Sequence, residues 1–235
     1  MARFSPVVLI AGAASAAGAA CARAMAGDAS GGLLLVDSDE AGLEAASDAI
    51  QHPPERVSTL AFDPADAERW AAAADFIRAQ YGRLDWVIAC FGATQRHEGA
   101  PVAALGVLRA VGPLIRANTS GGAVTLVITA RSVKADALLR LVRVAAKEGS
   151  ADNVRVNAVL SGAIESPLWR RDPDFETMTR AAGNEASALA QLERLSPPLA
   201  KCGEKQDVAR LAHLLLSDEA GVSGVTLVAD SGYTV

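Results

Sequence analysis

Aromatic residues are scarce in this sequence, at 4% of 235 residues, although 51% of the residues are hydrophobic. The core must therefore be built mainly from alanine, valine, leucine and isoleucine. The formal net charge is -5, and no basic stripe is present. Nucleic acids and anionic membranes are therefore poor candidates as partners, and we expect contact with neither.

Cysteine is also rare. Cys21, Cys90 and Cys202 lie far apart, and no two of them form a CxxC pair. This spacing argues against a disulfide framework and against a structural zinc site, so we predict no metal centre. Free cysteines are typical of a reducing compartment, which favours a cytoplasmic protein.

The apolar run from Val7 to Ala22 imitates a secretory signal. Gly12, Ser15 and Gly18 interrupt the run, however, and the chain after it continues a βαβ pattern. The run is also too short and too rich in small residues to span a bilayer. We predict a buried strand over Val7–Ala11, followed by an alanine-rich helix.

Short apolar runs alternate with helical stretches along the whole chain. Strands covered on both faces of a parallel sheet have this continuously apolar character. The alternation predicts an α/β fold, a doubly wound Rossmann-type three-layer sandwich with a seven-stranded parallel sheet, in one domain over residues 1–235. The predicted strands are Val7–Ala11, Leu33–Val36, Val57–Ala61, Leu84–Ala89, Val124–Thr129, Val154–Leu160 and Val225–Val228. The predicted helices include Glu40–Ile50, Ala65–Tyr81, Val102–Ala117, Val133–Glu148 and Lys205–Leu216.

Two segments differ from this pattern. The predicted helix Val102–Ala117 is apolar on nearly all sides, whereas a surface helix has one apolar stripe. It is therefore expected to pack on the sheet and on another subunit. The charged segment 167–198 lies before the last helix, and its position makes it a candidate lid over a site.

The clearest functional signal is a nucleotide-binding pattern. The first predicted strand runs into Gly12-Ala-Ala-Ser15-Ala-Ala-Gly18, which opens a helix whose N-terminus can face a pyrophosphate. Asp37 ends the second strand, nineteen residues after Gly18. A carboxylate there accepts hydrogen bonds from ribose hydroxyls and repels a 2′-phosphate, which favours NAD over NADP.

These segments resemble the short-chain dehydrogenase/reductase family over nearly the whole chain. The turn from Ala11 to Gly18 is similar to that family's TGxxxGxG, with Ala16 in place of the middle glycine. Leu84–Gly92 resembles the strand that ends in NNAG, Val154–Val159 resembles IRVNAV, and Ser161–Ser166 stands in place of PGxIxT. The resemblance implies that the cofactor contacts Gly12, Ser15, Ala17, Gly18, Asp37, Asp63, Phe91, Gly92, Lys134, Ile164 and Ser166. Asp63 takes the position that binds adenine.

The family's catalytic tyrosine has no counterpart. Its YxxxK motif supplies a general acid/base whose pKa the lysine lowers, but this chain has only Tyr81 and Tyr233, and neither position fits. Lys134 matches the lysine, which places Ala130 at the tyrosine position. A rival alignment on Arg143 and Lys147 leaves only nine residues before Asn157, too few for the rest of the helix.

Other catalytic positions are also altered. Thr129 or Ser132 could offer a hydroxyl in place of the family's serine, although a strand end and a helix cap account better for these two residues. Ala103 takes the place of the family's asparagine. Near the cofactor, the Ala16 methyl, the Phe91 ring beside the adenosine ribose and Pro64 after Asp63 all count against ordinary NAD binding.

Two main functions are consistent with these residues. One is an NAD-dependent oxidoreductase whose ordinary dehydrogenase activity is impaired or absent. Its substrate would be a small molecule that the sequence does not specify. The alternative is a non-catalytic dinucleotide sensor, a scaffold or a partner subunit of an active paralogue. Non-redox chemistry at Lys134 or Glu165 is a third. The helices Val102–Ala117 and Val133–Ala146 correspond to the family's four-helix dimer interface, so a homodimer or homotetramer is expected.

Overall fold

Parallel strands form one sheet in the computed structural model, which describes residues 5–50, 53–91, 100–129, 135–162, 173–195, 204–217, 221–230 and 232. The strand order is β3-β2-β1-β4-β5-β6-β7. The strands are β1 (Val7–Ala11), β2 (Gly32–Asp37), β3 (Val57–Ala61), β4 (Trp86–Phe91), β5 (Gly122–Thr129), β6 (Val154–Ser161) and β7 (Thr226–Ala229). The helices are α1 (Ala16–Met25), α2 (Glu40–Asp48), α3 (Ala67–Tyr81), α4 (Ala100–Arg116), α5 (Ala135–Gly149), α6 (Pro173–Ala182), α7 (Glu185–Leu195) and α8 (Lys205–Leu216).

The predicted fold class is confirmed: each neighbouring strand pair is parallel, and helices cover both faces. The hydrophobic cluster on one face contains residues of α3, α4 and α5. The cluster on the other face contains residues of α1, α2 and α8. The seven predicted strands are all present, including the buried strand predicted over Val7–Ala11.

Several boundaries differ from prediction by one or two residues. The strand predicted over Leu84–Ala89 instead spans Trp86–Phe91. It extends past Ala89 because the apolar run continues through Cys90 and Phe91. The helix predicted over Ala65–Tyr81 begins at Ala67, since the Asp66 side chain accepts hydrogen bonds from the N–H groups of Glu68 and Arg69 and caps it. The helix predicted over Glu40–Ile50 ends at Asp48.

Helix α4 is more amphipathic than its sequence indicates. Its buried side packs in the core through Ala104, Val107 and Ile115. Arg109 and Arg116 are exposed on its outer side. The helix therefore does not have an apolar surface all round, because its small and aliphatic residues mostly face the sheet.

The described part of the candidate lid forms two helices, α6 and α7, which pack against each other. The role of residues 167–198 as a lid over a site stays a prediction, because 163–172 and 196–203 lie outside the described residues. Among the described helices, none has both the length and the apolar character needed to cross a membrane.

The carboxyl ends of the strands meet at one edge of the sheet. Strand β1 lies between β2 and β4, so successive crossovers leave it in opposite directions. In open α/β sheets, ligands bind in the crevice at such a reversal. The candidate site is therefore expected where β1 ends at Ala11 and β4 ends at Phe91.

Candidate functional site

The turn after β1 has a geometry that requires glycine at its start. Gly12 has φ 75°, in the left-handed region. A Cβ at this residue would lie 2.5 Å from the Cys90 carbonyl oxygen and 3.1 Å from the Cys90 Cβ. Gly12 N–H donates to the Val36 carbonyl at 2.8 Å. The turn thus lies directly against the ends of β2 and β4.

Ser15 and Gly18 close the turn onto α1. The Ser15 hydroxyl donates to the Gly12 carbonyl at 2.7 Å, and its Oγ accepts from Gly18 N–H at 3.0 Å. A Cβ at Gly18 would lie 2.1 Å from the Gly12 oxygen. Only glycine allows the helix to approach this closely, so the predicted turn residues are brought together as one unit.

Two backbone donors at the start of α1 remain for a ligand. Within the described part of the chain, the N–H groups of Ala16 and Ala17 make no hydrogen bond. The first N–H groups of a helix have no partner within the helix and lie at the positive end of its dipole. The turn can therefore donate two hydrogen bonds to an anion.

The Asp37 carboxylate lies beside the turn. Its Oδ2 accepts from Ala14 N–H at 3.0 Å, and its Oδ1 accepts from Asp39 N–H at 3.1 Å. These two bonds fix the plane of the carboxylate while leaving further lone pairs on both oxygens. The predicted acidic residue is therefore held in place at the end of β2.

Asp63 follows β3 at the same edge and is exposed. Its Oδ1 accepts from Ala65 N–H at 2.9 Å, and its carbonyl accepts from Asp66 N–H at 2.8 Å. The carbonyl of Pro64 accepts the indole N–H of Trp70 at 2.8 Å. Asp63 thus orders the loop into α3, and its role in binding adenine stays a prediction.

Phe91 and Cys90 lie on opposite faces of β4. The Phe91 ring is buried in the cluster formed with α3, α4 and α5, and its role beside the adenosine ribose stays a prediction. Cys90 is half-buried on the α1 face, where it packs against the hydrophobic cluster that contains Cys21. A hydrogen bond with Cys21, burial and the nearby Cys21 and Asp37 charges raise the pKa of the Cys90 thiol well above its ordinary value.

Sequence reasoning thus missed Cys90 as a neighbour of the turn. A signal was present: alternate residues of a strand share a face, so Cys90 follows Trp86 and Ile88 toward α1. The sequence does not show which face of β4 packs against α1, however, because the strand is apolar on both faces.

Only part of the predicted catalytic region is described. Thr129 ends β5, and its register partner Ser161 ends β6 with its hydroxyl 3.4 Å from the Ile128 carbonyl. The predicted site residues Gly92, Lys134, Ile164 and Ser166, together with Ala130, lie outside the described residues. Of the predicted site, the structure therefore describes the turn, Asp37, Asp63, Phe91 and Thr129.

Tyr81 lies far from the candidate site along the strands. It ends α3, its ring packs on Gly32 at the start of β2, and its hydroxyl lies 2.7 Å from the Ser58 hydroxyl. The carboxyl ends of the strands, where the turn lies, form the opposite edge of the sheet. Tyr81 therefore lies away from the candidate site.

Solved structures of known proteins share the fold. The carveol dehydrogenase of Mycobacterium avium in complex with NAD superposes with a TM-score of 0.84 at 21% identity, covering 100% of this chain and 99% of that one. The apo short chain oxidoreductase of Pseudomonas aeruginosa PAO1, described as containing an atypical catalytic center, gives 0.82 at 23% identity and covers 97% and 98%. At these identities the likeness concerns the fold.

The sequence comparisons include a relative of higher identity than these two structures. The chain is 31% identical over 125 residues to the 2,5-dichloro-2,5-cyclohexadiene-1,4-diol dehydrogenase of Sphingobium indicum. That match covers 52% of this chain and 46% of the relative, so it spans about half the length of that protein. The family description "short chain dehydrogenase" matches residues 6–121, and "Enoyl-(Acyl carrier protein) reductase" matches residues 103–234. Together these matches cover almost the whole chain, which belongs to the short-chain dehydrogenase/reductase family of oxidoreductases.

Proposed function

We propose that the chain binds NAD(H) along the carboxyl edge of the sheet and prefers it to NADP(H). The observation that carries the proposal is the Asp37 carboxylate, held against the turn by the N–H groups of Ala14 and Asp39. A ribose diol can donate to the remaining lone pairs of its oxygens. A 2′-phosphate would instead meet a fixed like charge, with Asp39 and Glu40 following directly.

The turn also fits the diphosphate of such a cofactor. Ala16 and Ala17 offer two backbone donors at a helix N-terminus, which is a ready site for a phosphate oxygen. Gly12 and Gly18 keep side chains out of the space where the strand, the helix and the ligand come together. These residues would hold the adenosine diphosphate half, and the bound nicotinamide would supply the hydride acceptor or donor.

Asp37→Ala tests the cofactor preference. We expect NADH affinity to fall about 10- to 100-fold, since a hydrogen bond to a charged group is worth about 1.5–3 kcal/mol, while the ratio of NADH to NADPH affinity moves toward one. Fluorescence titration with both dinucleotides measures this. Asp39→Ser is the matched control, because it retains a capping oxygen for α2 and should leave NADH affinity unchanged.

A wild-type protein that binds neither dinucleotide at about millimolar concentration (about 4 kcal/mol of binding free energy) would contradict the cofactor proposal. Equal affinity for NADH and NADPH would contradict the role of Asp37 alone. The two outcomes are therefore separable in the same titration.

We also propose that ordinary dehydrogenase activity is impaired. Ala130 takes the tyrosine position and Ala103 takes the asparagine position, where its methyl is buried in the core. General acid/base catalysis contributes about 10²–10⁴-fold to rate, so oxidation of an alcohol without that group is expected to be slow. Lys134 and Thr129 are the groups that the chain offers beside a nicotinamide.

Turnover on a panel of alcohols and ketones tests this part. Any NAD-linked turnover should be lost in Lys134→Ala and kept in Lys147→Ala, since Lys147 is exposed on α5. The reverse result would favour the alignment on Arg143 and Lys147 and would show that Lys134 is misplaced. The median kcat of enzymes is about 10 s⁻¹. A kcat within about tenfold of that value would contradict the proposed impairment.

A second candidate is a non-catalytic dinucleotide sensor, a scaffold or a partner subunit of an active paralogue. The intact turn beside an absent tyrosine favours it, because binding needs the first and chemistry needs the second. NADH binding without turnover on the panel would support the sensor. Absence of NADH binding would leave only a scaffold or partner role.

We further propose that the chain forms a homodimer or homotetramer through the face of α4 and α5. Val102 and Val144 are 61% and 54% exposed on these helices, and they are the most exposed large hydrophobic residues among those the structure describes. Apolar side chains in such positions are commonly covered by a second subunit. This contact would be made in addition to any contact with a small-molecule substrate.

Val144→Asp is expected to remove that interface, because it places a carboxylate where an apolar contact is proposed. Light scattering should show that the number of subunits per particle falls to half of the wild-type value. Ala72→Asp on the exposed side of α3 adds the same charge away from this face and should leave the assembly intact. A monomeric wild-type protein would contradict the interface.

A further inference from the structure

Contacts between four residues form a closed ring where β2 ends beside the turn after β1. The Asp37 carboxylate accepts from Ala14 N–H at 3.0 Å on one side and from Asp39 N–H at 3.1 Å on the other. Asp39 Oδ1 accepts from Gly42 N–H at 3.1 Å and so caps α2. Gly42 lies against Ala14 and closes the ring. The carboxylate proposed to select the cofactor is thus held by the turn and by the start of α2 together.

The contact between Gly42 and Ala14 leaves no room for a side chain at residue 42. A Cβ there would lie 2.6 Å from the Ala14 Cβ and 3.0 Å from Asp39 Oδ2. Packed carbon atoms lie about 3.5–4.0 Å apart, so the approach to Ala14 would be too close by about 1 Å. The Ala14 methyl is bonded directly to the backbone of the turn and cannot rotate away. A side chain at residue 42 would therefore push the start of α2 away from the turn.

Helix α2 is attached to the rest of the protein by few buried side chains. Of its nine residues, Leu43 and Ala46 are buried. Both belong to the hydrophobic cluster on the face of α1 and α8. A helix held by two neighbouring apolar residues can tilt at its first turn without leaving the sheet. We therefore expect a side chain at Gly42 to displace the start of α2 and to leave the fold intact.

Displacement of α2 would be transmitted to Asp37. Because the ring is closed, a wider gap between Gly42 and Ala14 must be taken up at one of its hydrogen bonds. Such bonds have lengths of about 2.7–3.2 Å, and the two bonds to the Asp37 carboxylate already lie near the upper end of this range, at 3.0 and 3.1 Å. A shift of about 1 Å is enough to break one of them. The carboxylate would then turn about its own bonds.

We propose that Gly42 is a positioning residue for cofactor specificity. By allowing α2 to lie against Ala14, it holds the Asp37 carboxylate in the orientation that accepts the ribose hydroxyls and repels a 2′-phosphate. Gly42 acts through Asp37 and does not itself touch the dinucleotide. The consequence for specificity rests on the proposed function, whereas the effect of Gly42 on the contact between Ala14 and Asp37 is independent of it.

The orientation of the carboxylate matters for both dinucleotides. A fixed acceptor loses little conformational entropy when a ribose diol binds, whereas a rotating one must first be ordered. A rotating carboxylate can also turn away from a 2′-phosphate, which lowers the repulsion. Loosening Asp37 is therefore expected to weaken the binding of NADH more than that of NADPH.

Gly42→Ala tests the proposal in the full chain. We expect NADH affinity to fall about tenfold, as for the loss of one hydrogen bond to a charged group, and the ratio of NADH to NADPH affinity to move toward one. Fluorescence titration with both dinucleotides measures this. Ala45→Ser is the matched control, because it adds one non-hydrogen atom on the exposed side of the same helix. It should leave both affinities unchanged.

The double variant Ala14→Gly/Gly42→Ala tests the contact itself. Without the Ala14 methyl, the closest remaining atom to the new Cβ is Asp39 Oδ2 at 3.0 Å, which ends a side chain and can move. The double variant should therefore recover the preference for NADH. A ratio that stays at the Gly42→Ala value would show that the contact with Ala14 is not the cause. If Gly42→Ala lowered the melting temperature but kept the wild-type ratio, Gly42 would be structural only and the proposal would be wrong.

Amide hydrogen exchange separates this proposal from the proposed function. Ala14 N–H is bonded to Asp37, so it should be protected from exchange without any dinucleotide. It should exchange faster in Gly42→Ala and at the wild-type rate in Ala45→Ser. Equal exchange in the wild type and in Gly42→Ala would overturn the positioning role. If the wild type bound neither dinucleotide, the proposed function and the effect on specificity would both fail, and faster exchange in Gly42→Ala would still show that Gly42 holds Asp37.

Discussion

Gly18→Ala is expected to abolish measurable NADH binding and to destabilise the fold. The added methyl would lie 2.1 Å from the Gly12 oxygen, 2.8 Å from the Gly12 carbonyl carbon and 2.9 Å from the Ala13 Cα. All three are backbone atoms, which cannot rotate away as a flexible side chain can. The turn and the start of α1 must therefore separate, and the hydrogen bond from Gly18 N–H to Ser15 is stretched or broken.

Two effects should follow from that separation. Overpacking of this kind costs about 1–3 kcal/mol of unfolding free energy. Misplacement of the Ala16 and Ala17 donors loses two hydrogen bonds to a charged diphosphate, so NADH affinity should fall about 100-fold or more. Fluorescence titration and thermal denaturation measure the two effects separately.

Gly27→Ala provides the matched control. A Cβ at Gly27 meets no atom within 4 Å, and its backbone is not in the left-handed region. The same substitution, shortly after the same helix, should leave NADH affinity and melting temperature unchanged. If Gly18→Ala bound NADH as tightly as Gly27→Ala, the turn would not be the diphosphate site.

The turn is also the part of the site that sequence alone predicted best. Gly12, Ser15 and Gly18 are close in the chain, so their geometry depends on local constraints: a tight turn, a helix cap and a close helix–strand contact. Asp37 was predictable because it ends the next strand. Parallel strands bring their carboxyl ends to one edge, and this put Asp37 beside the turn.

The orientation of β4 was not predictable in the same way. Phe91 and Cys90 are adjacent in a strand that is covered on both faces, so hydrophobicity does not distinguish the side of α3–α5 from the side of α1. The Phe91 ring belongs to the cluster with α3–α5, and the prediction that it lies near the adenosine ribose stays a prediction. The apolar character of α4 likewise did not show that Arg109 and Arg116 face outward.

Contacts between distant segments were the least accessible to sequence analysis. Arg155 donates hydrogen bonds to the carbonyls of Leu215, Leu216 and Ser217 and thereby caps the end of α8. Sequence reasoning grouped Arg155 only with the IRVNAV resemblance. The partners lie about 60 residues away in the chain, and no local propensity links them.

Asp85→Asn is expected to be among the most destabilising polar substitutions in the described chain. Its side chain is 1% exposed and accepts from Val7 N–H at 2.9 Å and from Arg83 Nε at 3.0 Å. The amide of Asn118 also donates to it, at 3.3 Å. This carboxylate therefore joins the starts of β1 and β4 to the loop before β5.

An asparagine cannot satisfy these donors. Its side chain has one oxygen and one NH₂ group, so at least one donor of Val7 or Arg83 would face another donor in a buried setting. Removing one partner of a buried ion pair costs about 3–5 kcal/mol. Because Arg83 is itself 41% exposed, solvent screening favours the lower end, about 3 kcal/mol.

For a chain of this size, about 3 kcal/mol corresponds to a fall in melting temperature of about 6–12 °C. Thermal denaturation followed by circular dichroism measures it. Asp75→Asn is the control, because both side chains of the Asp75–Arg78 ion pair are exposed. Loss of this ion pair should lower the free energy of unfolding by less than about 1 kcal/mol. Equal melting temperatures for the two variants would show that the buried carboxylate does not stabilise the sheet.

The Asp85 variant also separates stability from binding. Asp85 lies at the amino edge of the sheet, before β4, whereas the turn at Gly12 lies at the carboxyl edge. Below its melting transition, Asp85→Asn should therefore bind NADH as the wild type does, in contrast to Gly18→Ala. If Asp85→Asn lost NADH affinity while still folded, the two edges of the sheet would be coupled, and the loss in Gly18→Ala would no longer identify the turn as the diphosphate site.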